Sequence, residues 1–565
     1  MPGLLARDRI IAPPGFNRWF VPPASVAIHL CIGSVYAWSM FDPALIKMRG
    51  VVASAADEWT LGQTNLTYTL AIVSLGLSAA FGGKWMEKVG PRMVGTVAAC
   101  CWGGGFLVGA LGIHLHQLWL LYLGYGVIGG CGLGLGYVSP VSTLVKWFPD
   151  RRGMAAGMAI MGFGGGAFIG VRLIRWLIRS FSEVPVRIGS VEEVTLVTKA
   201  GRRFTEVAGE LREVVVVGST EVKQMLVGSA EGVYQVGTGH MGVAETFVAL
   251  GLIYFVVMIA AAFSYRLPAD GWLPAGWTPP SEDEAAKEMI TTHQISADEA
   301  LKTPQFYLVW IVLCFNVTAG IGVLGVAKTM MKDFTGGTQF KFADAAFAAN
   351  YVLWISVFNM AGRFFWATVS DYIGRKTTYT VFFVLGIALY LSIPLTAFQL
   401  SVSPAVIWLV YFYAATLIIF TMYGGGFATI PAYLADLFGA KNVGGIHGRL
   451  LTAWSTAGVL GPLAITSLRE RTRLQAIKQL VEQIDPAEFA EKFGAPVGKL
   501  KELVELKTVT ISQLMEIAPA GTQNPTPTLY NTTMYLMAAL LAVALVCNLL
   551  IRPVDPKHFS PDETA

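Results

Sequence analysis

One arginine stands in the middle of a long apolar run, at position 363 in FNMAGRFFWATV. A guanidinium is costly inside such a run unless it faces a cavity or binds an anion. Its planar fork donates two parallel hydrogen bonds, which fits a carboxylate. The alternative is an ion pair with a structural carboxylate, but no acidic residue lies deep in any apolar run. Arg363 is therefore predicted to bind the carboxylate of a small organic anion.

Other polar and aromatic side chains within apolar runs could contact the same anion. Asn359 lies four residues before Arg363, hence on the same face of a helix, and it cannot titrate. His29 is either a hydrogen-bonded core residue or a group that carries a proton. Aromatic residues can enclose a small anion and offer hydroxyl donors without adding charge. Four of them are further candidates for substrate binding: Tyr36, Trp38, Tyr137 and Tyr423.

The composition indicates that these residues are held in lipid. The chain has 565 residues, of which 54% are hydrophobic and 14% are charged. An ordinary soluble domain carries about 25% charged residues, so a typical soluble enzyme is excluded. The net charge is +4 and the basic residues are scattered between apolar runs, which indicates no nucleic-acid partner. The six cysteines form no CxxC motif, so neither a disulfide framework nor a metal site is predicted.

Twelve apolar runs have the length, about 20 residues, that a helix needs to cross a bilayer. The loops after the second, fourth, eighth and tenth runs are the basic ones. Since basic loops are retained in the cytoplasm, both termini are predicted to be cytoplasmic. The runs predict an all-α polytopic membrane protein and cover residues 20–42, 64–85, 93–113, 118–145, 153–178, 244–265, 305–328, 344–369, 377–399, 404–435, 447–467 and 530–551.

Three polar stretches interrupt the spans. The first combines β-branched residues with Gly and charged turns, which predicts a β-rich insertion on the outer face. The second, with Pro, Gly, Trp and then acidic residues, is typical of a cytoplasmic linker between two bundles. The third repeats apolar positions at three and four, which predicts short amphipathic helices on the outer face. The predicted domains are 1–182 (spans 1–5), 183–243 (β-rich insertion), 244–265 (span 6), 266–304 (linker), 305–467 (spans 7–11), 468–528 (helical insertion) and 529–565 (span 12 and a cytoplasmic tail).

The two halves repeat a loop motif. Residues 83–92 read GKWMEKVGPR and residues 367–376 read ATVSDYIGRK, so both have the pattern small-x-x-x-acid-x-x-Gly-x-base. A carboxylate there can pair with a basic residue and with the N-terminus of a neighbouring helix. We call this arrangement the latch, because breaking it would let one bundle rock against the other. The alternative is that these charges only anchor the topology. The latch candidates are Gly83, Glu87, Gly90, Arg92, Asp371, Gly374 and Lys376.

Twelve spans in two halves with paired loop motifs resemble the major facilitator superfamily, whose fold is two pseudo-symmetric six-helix bundles around a central cavity. Within it, the segments NRWF, YAW, KWFPDRRG, TPQF and NMAGR resemble the oxalate/formate antiporter family, relatives of the monocarboxylate transporters. The resemblance covers nearly all spans but neither outer insertion. It implies that Arg363 matches the arginine with which these transporters bind a carboxylate. It also implies cavity or gate positions, with helix packing as the alternative, for Phe41, Phe163 and Phe427.

The chain lacks a second basic residue that the oxalate exchanger of this family has in its binding cavity. The family's oxalate exchanger pairs the arginine of span 8 with a lysine of span 11, but residues 450–458 read LLTAWSTAG. One unmatched charge of a dicarboxylate would be costly in a low-dielectric cavity, which favours a monocarboxylate. Arg449 lies about one helical turn toward the cytoplasm from the place of the missing lysine, and it is the candidate for a secondary cation. Proton-coupled monocarboxylate carriers resemble this chain but place an aspartate at the position of Asn359, so the asparagine favours anion exchange.

We therefore predict a secondary transporter of a small organic anion, a monocarboxylate such as formate or lactate, or else oxalate, that works by alternating access and anion exchange. The protein is expected to be a monomer in the cell membrane, to contact lipid and its substrate, to bind no cofactor, and not to be an enzyme. Two alternatives stay open. One is a proton-coupled monocarboxylate symporter, and the other is a transporter-like sensor that uses the outer insertions.

Overall fold

Twelve long helices dominate the part of the chain that the computed structural model describes, namely residues 3–223, 225–228, 230–281, 283–284, 289–335, 340, 342–343, 345–506 and 508–560. By length and composition each contains a segment that can cross a membrane, so the predicted all-α fold with twelve spans is confirmed. In chain order the helices are α1 (Arg18–Met40), α2 (Leu61–Val89), α3 (Pro91–His114), α4 (Leu118–Trp147), α5 (Arg152–Phe181), α6 (Val243–Ser264), α7 (Pro304–Thr335), α8 (Ala345–Ile373), α9 (Arg375–Val402), α10 (Val406–Phe438), α11 (Val443–Val481) and α12 (Asn531–Leu550).

The ends of these helices follow from local sequence signals. α2 begins at a capping box, in which Gln63 N donates to Thr60 Oγ1 and Thr60 N donates to Gln63 Oε1. Gly90 joins α2 to α3 and Gly374 joins α8 to α9, with φ angles of 89° and 81°. Residues other than glycine rarely adopt a positive φ angle, because their Cβ is too close to the backbone. The glycine at the equivalent position therefore makes the same tight turn in both copies of the repeated motif.

The chain divides by proximity into two compact units. The first comprises Met1–Ala300, Leu434–Ser455 and Asp555–Ala565, and the second comprises Leu301–Tyr433 and Thr456–Val554. Within the first unit α3 packs along α6, and within the second α9 packs along α12, which are equivalent pairs in the two halves. The division differs from a bundle of residues 305–467, because the start of α11 contacts α2 of the first unit: Gly444 N donates to Glu87 and Ser455 Oγ donates to Ile72 O.

The polar stretch between α5 and α6 forms a five-stranded antiparallel sheet. Two of its hairpins turn through Ala-Gly pairs, 200–201 and 208–209, in which both residues have positive φ. One face buries Val215, Val217 and Tyr234 against Val52 of the loop between α1 and α2. The strands, in the spatial order β1-β5-β4-β3-β2, are β1 (Arg187–Gly189), β2 (Val197–Lys199), β3 (Arg202–Val207), β4 (Glu210–Val217) and β5 (Gly232–Gln235).

The polar stretch before α12 is helical, and it begins inside α11. That helix continues to Val481 instead of ending near residue 467. No Gly or Pro follows Pro462 within it, and the helix-forming run includes an ion pair between Glu470 and Arg473 at 2.7 Å. Three short helices complete the segment: Pro486–Phe493, Leu500–Glu505 and Ile511–Met515.

Candidate functional site

The second unit buries the predicted anion anchor. Arg363 is 1% exposed, and its Nε donates to Asn359 Oδ1 at 3.3 Å, so the two residues predicted to share a helix face do so. The guanidinium carbon lies 5.5 Å from the ring centre of Phe427 on α10. This contact holds the charge over the negative face of an aromatic ring, a favourable place for a desolvated cation.

Small residues let the three helices of this site approach closely. A Cβ at Gly424 of α10 would lie 2.2 Å from the backbone oxygen of Asn359, and one at Gly320 of α7 would lie 2.2 Å from the ring of Tyr423. Tyr423 in turn packs edge-on against Phe427, with ring centres 5.5 Å apart. Of the predicted substrate residues, the structure therefore brings Arg363, Asn359 and Tyr423 together.

These side chains also share one depth along the helices. Arg363 precedes the end of α8 at Ile373 by ten residues, or about 15 Å. Phe427 precedes the end of α10 at Phe438 by eleven residues, or about 16 Å. Both side chains therefore lie well inside helices that can cross a membrane. An arginine inside such a span calls for an anionic partner.

The first unit contains a separate aromatic cluster that includes two of the predicted tyrosines. Tyr36 and Tyr137 each pack against Phe163, at 5.2 and 5.4 Å between ring centres. Both also contact Trp454 of α11, at 6.4 and 5.3 Å. Trp454 was not among the residues predicted from the sequence. Its position could have identified it, because this tryptophan lies in the segment of span 11 where the related oxalate exchanger has a lysine.

Trp38 lies outside this cluster. It packs against Tyr125 and Phe41, at 4.6 and 5.8 Å. Residues Ser34–Met40 form a 3-10 helix. In such a helix, side chains two residues apart are related by a rotation of about 240° around the helix axis. Tyr36 and Trp38 therefore face different sides, and the structure places only Tyr36 with Tyr137.

In the first copy of the latch motif, the carboxylate contacts a lysine and the start of a helix. Glu87 Oε2 accepts a hydrogen bond from Lys146 Nζ at 2.6 Å, and Oε1 accepts one from Gly444 N, at the start of α11, at 3.1 Å. Gly83 permits this approach, because a Cβ there would lie 2.3 Å from Gly444 O. Arg92 is directed elsewhere: it donates to the backbone oxygens of Leu4, Phe263 and Tyr265.

The second copy of the motif differs in its contacts. Asp371 Oδ1 accepts from Arg375 Nη2 at 2.7 Å, which is a bond within its own turn. Lys376 Nζ donates to Leu549 O and Ile551 O at the end of α12, both at 2.8 Å. The basic residues of the two copies thus bind equivalent places: Arg92 binds backbone oxygens at the end of α6, and Lys376 binds backbone oxygens at the end of α12.

Arg449 is directed to the linker. Its guanidinium donates to the backbone oxygen of Ala297 and to the carboxylate of Asp298. Lys84 pairs with the same carboxylate. Hydrogen bonds from Lys84 and Arg449 lower the pKa of the Asp298 carboxyl to about 2. Arg449 thus shares the carboxylate of Asp298 with Lys84, a partner that the sequence did not indicate.

Replacing Asp298 with asparagine is expected to lower the thermal stability slightly and by the same amount at pH 5 and pH 8. The loss is small because exposed ion pairs contribute about 0 to 1 kcal/mol. The folded-state pKa lies below the ordinary value of 3.8, so the stabilisation is present above about pH 5 and is lost only as the pH falls toward 2. Thermal unfolding of the purified protein measures this, and a difference between D298N and wild type that grows from pH 8 to pH 5 would contradict it.

Comparison with known proteins gives consistent matches over most of the chain. Residues 30–187 and 235–462 match the family model described as Major Facilitator Superfamily. The oxalate:formate antiporter of Oxalobacter formigenes is 25% identical over 500 residues, which cover 86% of this chain and 95% of that protein. Apicoplast pyruvate carrier 1 of Toxoplasma gondii is 22% identical over 485 residues, which cover 75% and 78%.

Solved structures share the fold at low sequence identity. A crystal structure of the major facilitator transporter FucP in its outward conformation aligns with a TM-score of 0.54 and 13% identity, covering 94% of this chain and 99% of the other. At this identity the likeness concerns the fold alone. It agrees with the arrangement of twelve helices in two equivalent halves.

Proposed function

Because this chain belongs to the Major Facilitator Superfamily, we propose that it is a secondary transporter that moves a small monocarboxylate across the cell membrane by alternating access and anion exchange. The observation that carries the proposal is Arg363, which is buried inside a helix that can cross a membrane, hydrogen-bonded to Asn359 and placed against Phe427. A guanidinium there can bind a carboxylate through two parallel hydrogen bonds.

The charge balance supports one carboxylate rather than two. Asn359 is neutral, and Arg449 is paired with Asp298 in the first unit. A dianion such as oxalate would need a second cation in the site, whereas a monoanion would not. The names of the two relatives, an oxalate:formate antiporter and a pyruvate carrier, also support a small carboxylate. In this proposal both termini are cytoplasmic and the carrier works as a monomer.

The test is uptake of labelled formate, lactate and oxalate by liposomes that contain the purified protein. Saturable uptake of formate or lactate is expected, and it should rise when the liposomes are loaded with the same unlabelled anion, because exchange needs an anion on both sides. Empty liposomes serve as the control. If no carboxylate is taken up above that control, the proposal fails, and if oxalate alone is taken up, the preference for a single charge is wrong.

A further inference from the structure

One side of α5 carries three arginines and a tryptophan, close to the end of the helix that leads into the sheet. Arg172, Arg175 and Arg179 are exposed, and Trp176 is 62% exposed. Residues three, four and seven positions from Arg172 lie on the same side of a helix, so these side chains share one surface. We call this surface the arginine face. The other side of the same turns is buried and consists of Ile174, Leu177 and Ile178.

The arginine face continues along α5 as an open groove of about 470 Å³. The groove is lined by Phe168, Ile169, Arg172, Leu173 and Trp176. Its apolar residues are unusually exposed for their type, with Ile169 at 52%. Contiguous exposed apolar side chains mark a surface that contacts a membrane or a partner. In a chain with twelve spans, this groove is suited to the acyl chain of a lipid.

The length of α5 indicates where along the lipid the arginine face lies. The helix has 30 residues, and Arg152 at its start pairs with Asp436 at 2.9 Å. Arg172 follows Arg152 by a rise of about 30 Å, which is the thickness of a bilayer core. Arg175 and Arg179 lie about 5 and 10 Å further along the helix. A span that leaves Arg152 in water at one surface therefore brings the arginine face to the headgroups at the other surface.

The guanidinium of Arg172 is directed back along the span. Its Nη1 donates to Phe168 O at 3.1 Å, and its guanidinium carbon lies 4.0 Å from the centre of the Phe168 ring. Residues 153–182 contain no Asp or Glu. Among the residues that the structure describes, no carboxylate is within ion-pair distance of the three arginines. A cation on the lipid-facing side of a span is costly without an anion, so the anion has to come from the lipid.

We propose that the arginine face binds the headgroup of an anionic phospholipid and that the groove binds one of its acyl chains. A guanidinium binds a phosphate through two parallel hydrogen bonds. Three arginines side by side favour a lipid of net negative charge, such as phosphatidylglycerol. They disfavour phosphatidylcholine, because its choline cation would be repelled. Trp176 suits the same place, since tryptophan prefers the boundary between acyl chains and water.

The lipid site is separate from the aromatic cluster of the first unit. Phe163 of α5 packs against Tyr36, with ring centres 5.2 Å apart. Arg172 follows Phe163 by nine residues, or about two and a half helical turns, so the two side chains point to opposite sides of α5. The buried side of the helix also packs closely on α1, since a Cβ at Gly170 would lie 3.3 Å from the Cβ of Ser34. Binding of the lipid is therefore independent of which substrate the protein carries.

The test is the quenching, by brominated acyl chains, of a fluorophore attached to I169C in a chain without its native cysteines. Ile169 lines the groove, so the quenching reports which lipid lies there. The vesicles contain phosphatidylcholine and phosphatidylglycerol in varied ratio, with one or the other brominated. Phosphatidylglycerol should be preferred about tenfold or more, because each arginine beside an anionic lipid contributes about fivefold in affinity. In R172Q/R175Q/R179Q the two lipids should quench equally.

Two controls make the result specific to this face. Removal of three exposed charges from the insertion that follows α5 should leave the preference intact, and the variant is K199Q/R203Q/K223Q. A fluorophore on L252C should be quenched equally by both lipids, because Leu252 is exposed on α6, a helix without Lys or Arg.

The outcomes separate this inference from the proposed function. Equal quenching by both lipids at I169C, or a preference that survives in R172Q/R175Q/R179Q, refutes the lipid site. Should that variant not fold, the comparison of I169C with L252C in otherwise unchanged arginine positions decides, and equal preferences at the two positions overturn the inference. The measurement involves no transport, so a protein that takes up no carboxylate would refute the proposed function and leave the lipid site standing.

Discussion

Substitution of Arg363 by lysine is expected to remove most of the carboxylate uptake while the protein still inserts into the membrane. Lysine keeps the charge but not the planar fork, so one of the two parallel hydrogen bonds to the carboxylate is lost. A hydrogen bond to a charged group contributes about 1.5 to 3 kcal/mol, which corresponds to roughly 10- to 150-fold in affinity. The measurement is the concentration dependence of lactate or formate uptake in liposomes, and the change should fall mainly on the half-saturation concentration.

A matched control separates the anchor role from general damage. R473K makes the same chemical change in the same unit, but Arg473 lies on the extension of α11 and pairs with the exposed Glu470. It should leave the half-saturation concentration unchanged. An R363K protein with wild-type uptake would show that Arg363 does not hold the carboxylate.

Arg363 and Asn359 of the second-unit site could be selected from the sequence because the pattern that identifies them lies within a few neighbouring residues. An arginine in an apolar run is rare, and an asparagine four residues earlier must share its helix face. The glycine, the carboxylate and the tight turn of the latch motif are equally local, but the sequence named neither Lys146 nor the start of α11 as a partner of Glu87. Hydropathy was sufficient for the twelve spans, since crossing a bilayer requires a minimum apolar length.

Other features depend on contacts between distant segments. Trp38 was grouped with Tyr36, but residues two apart in a helix face different sides, and Trp38 packs against Tyr125 instead. Trp454 joins Tyr36 and Tyr137 only because the start of α11 packs in the first unit. The binding of Arg449 to Asp298 and the contacts of His29 with Ala159 O and Tyr137 O likewise join residues that are more than 100 positions apart. No periodicity in the sequence reports such pairs.

Replacing Glu87 with alanine is expected to favour the conformation in which the start of α11 has separated from α2. The change removes the acceptor for Gly444 N and leaves the half-buried Lys146 without its carboxylate. Loss of a partly buried charged contact costs about 2 to 3 kcal/mol, which shifts a two-state population roughly 30- to 150-fold. The measurement is the rate at which a soluble thiol reagent labels S142C in a chain without its native cysteines, because Ser142 lies beside Gly444. That rate should rise in E87A.

The second copy of the motif supplies a matched control, D371A, for the effect of E87A on S142C labelling. Asp371 bonds to Arg375 of its own turn, and D371A leaves the contacts of Glu87 with Lys146 and Gly444 in place. If the latch acts through the N-terminus of α11, E87A should change S142C labelling far more than D371A does. If loop charges only anchor the topology, neither variant should change labelling, and the two carboxylates would be equivalent in function as they are in sequence. Equal rates in wild type and E87A would therefore remove the latch, whatever the transport activity.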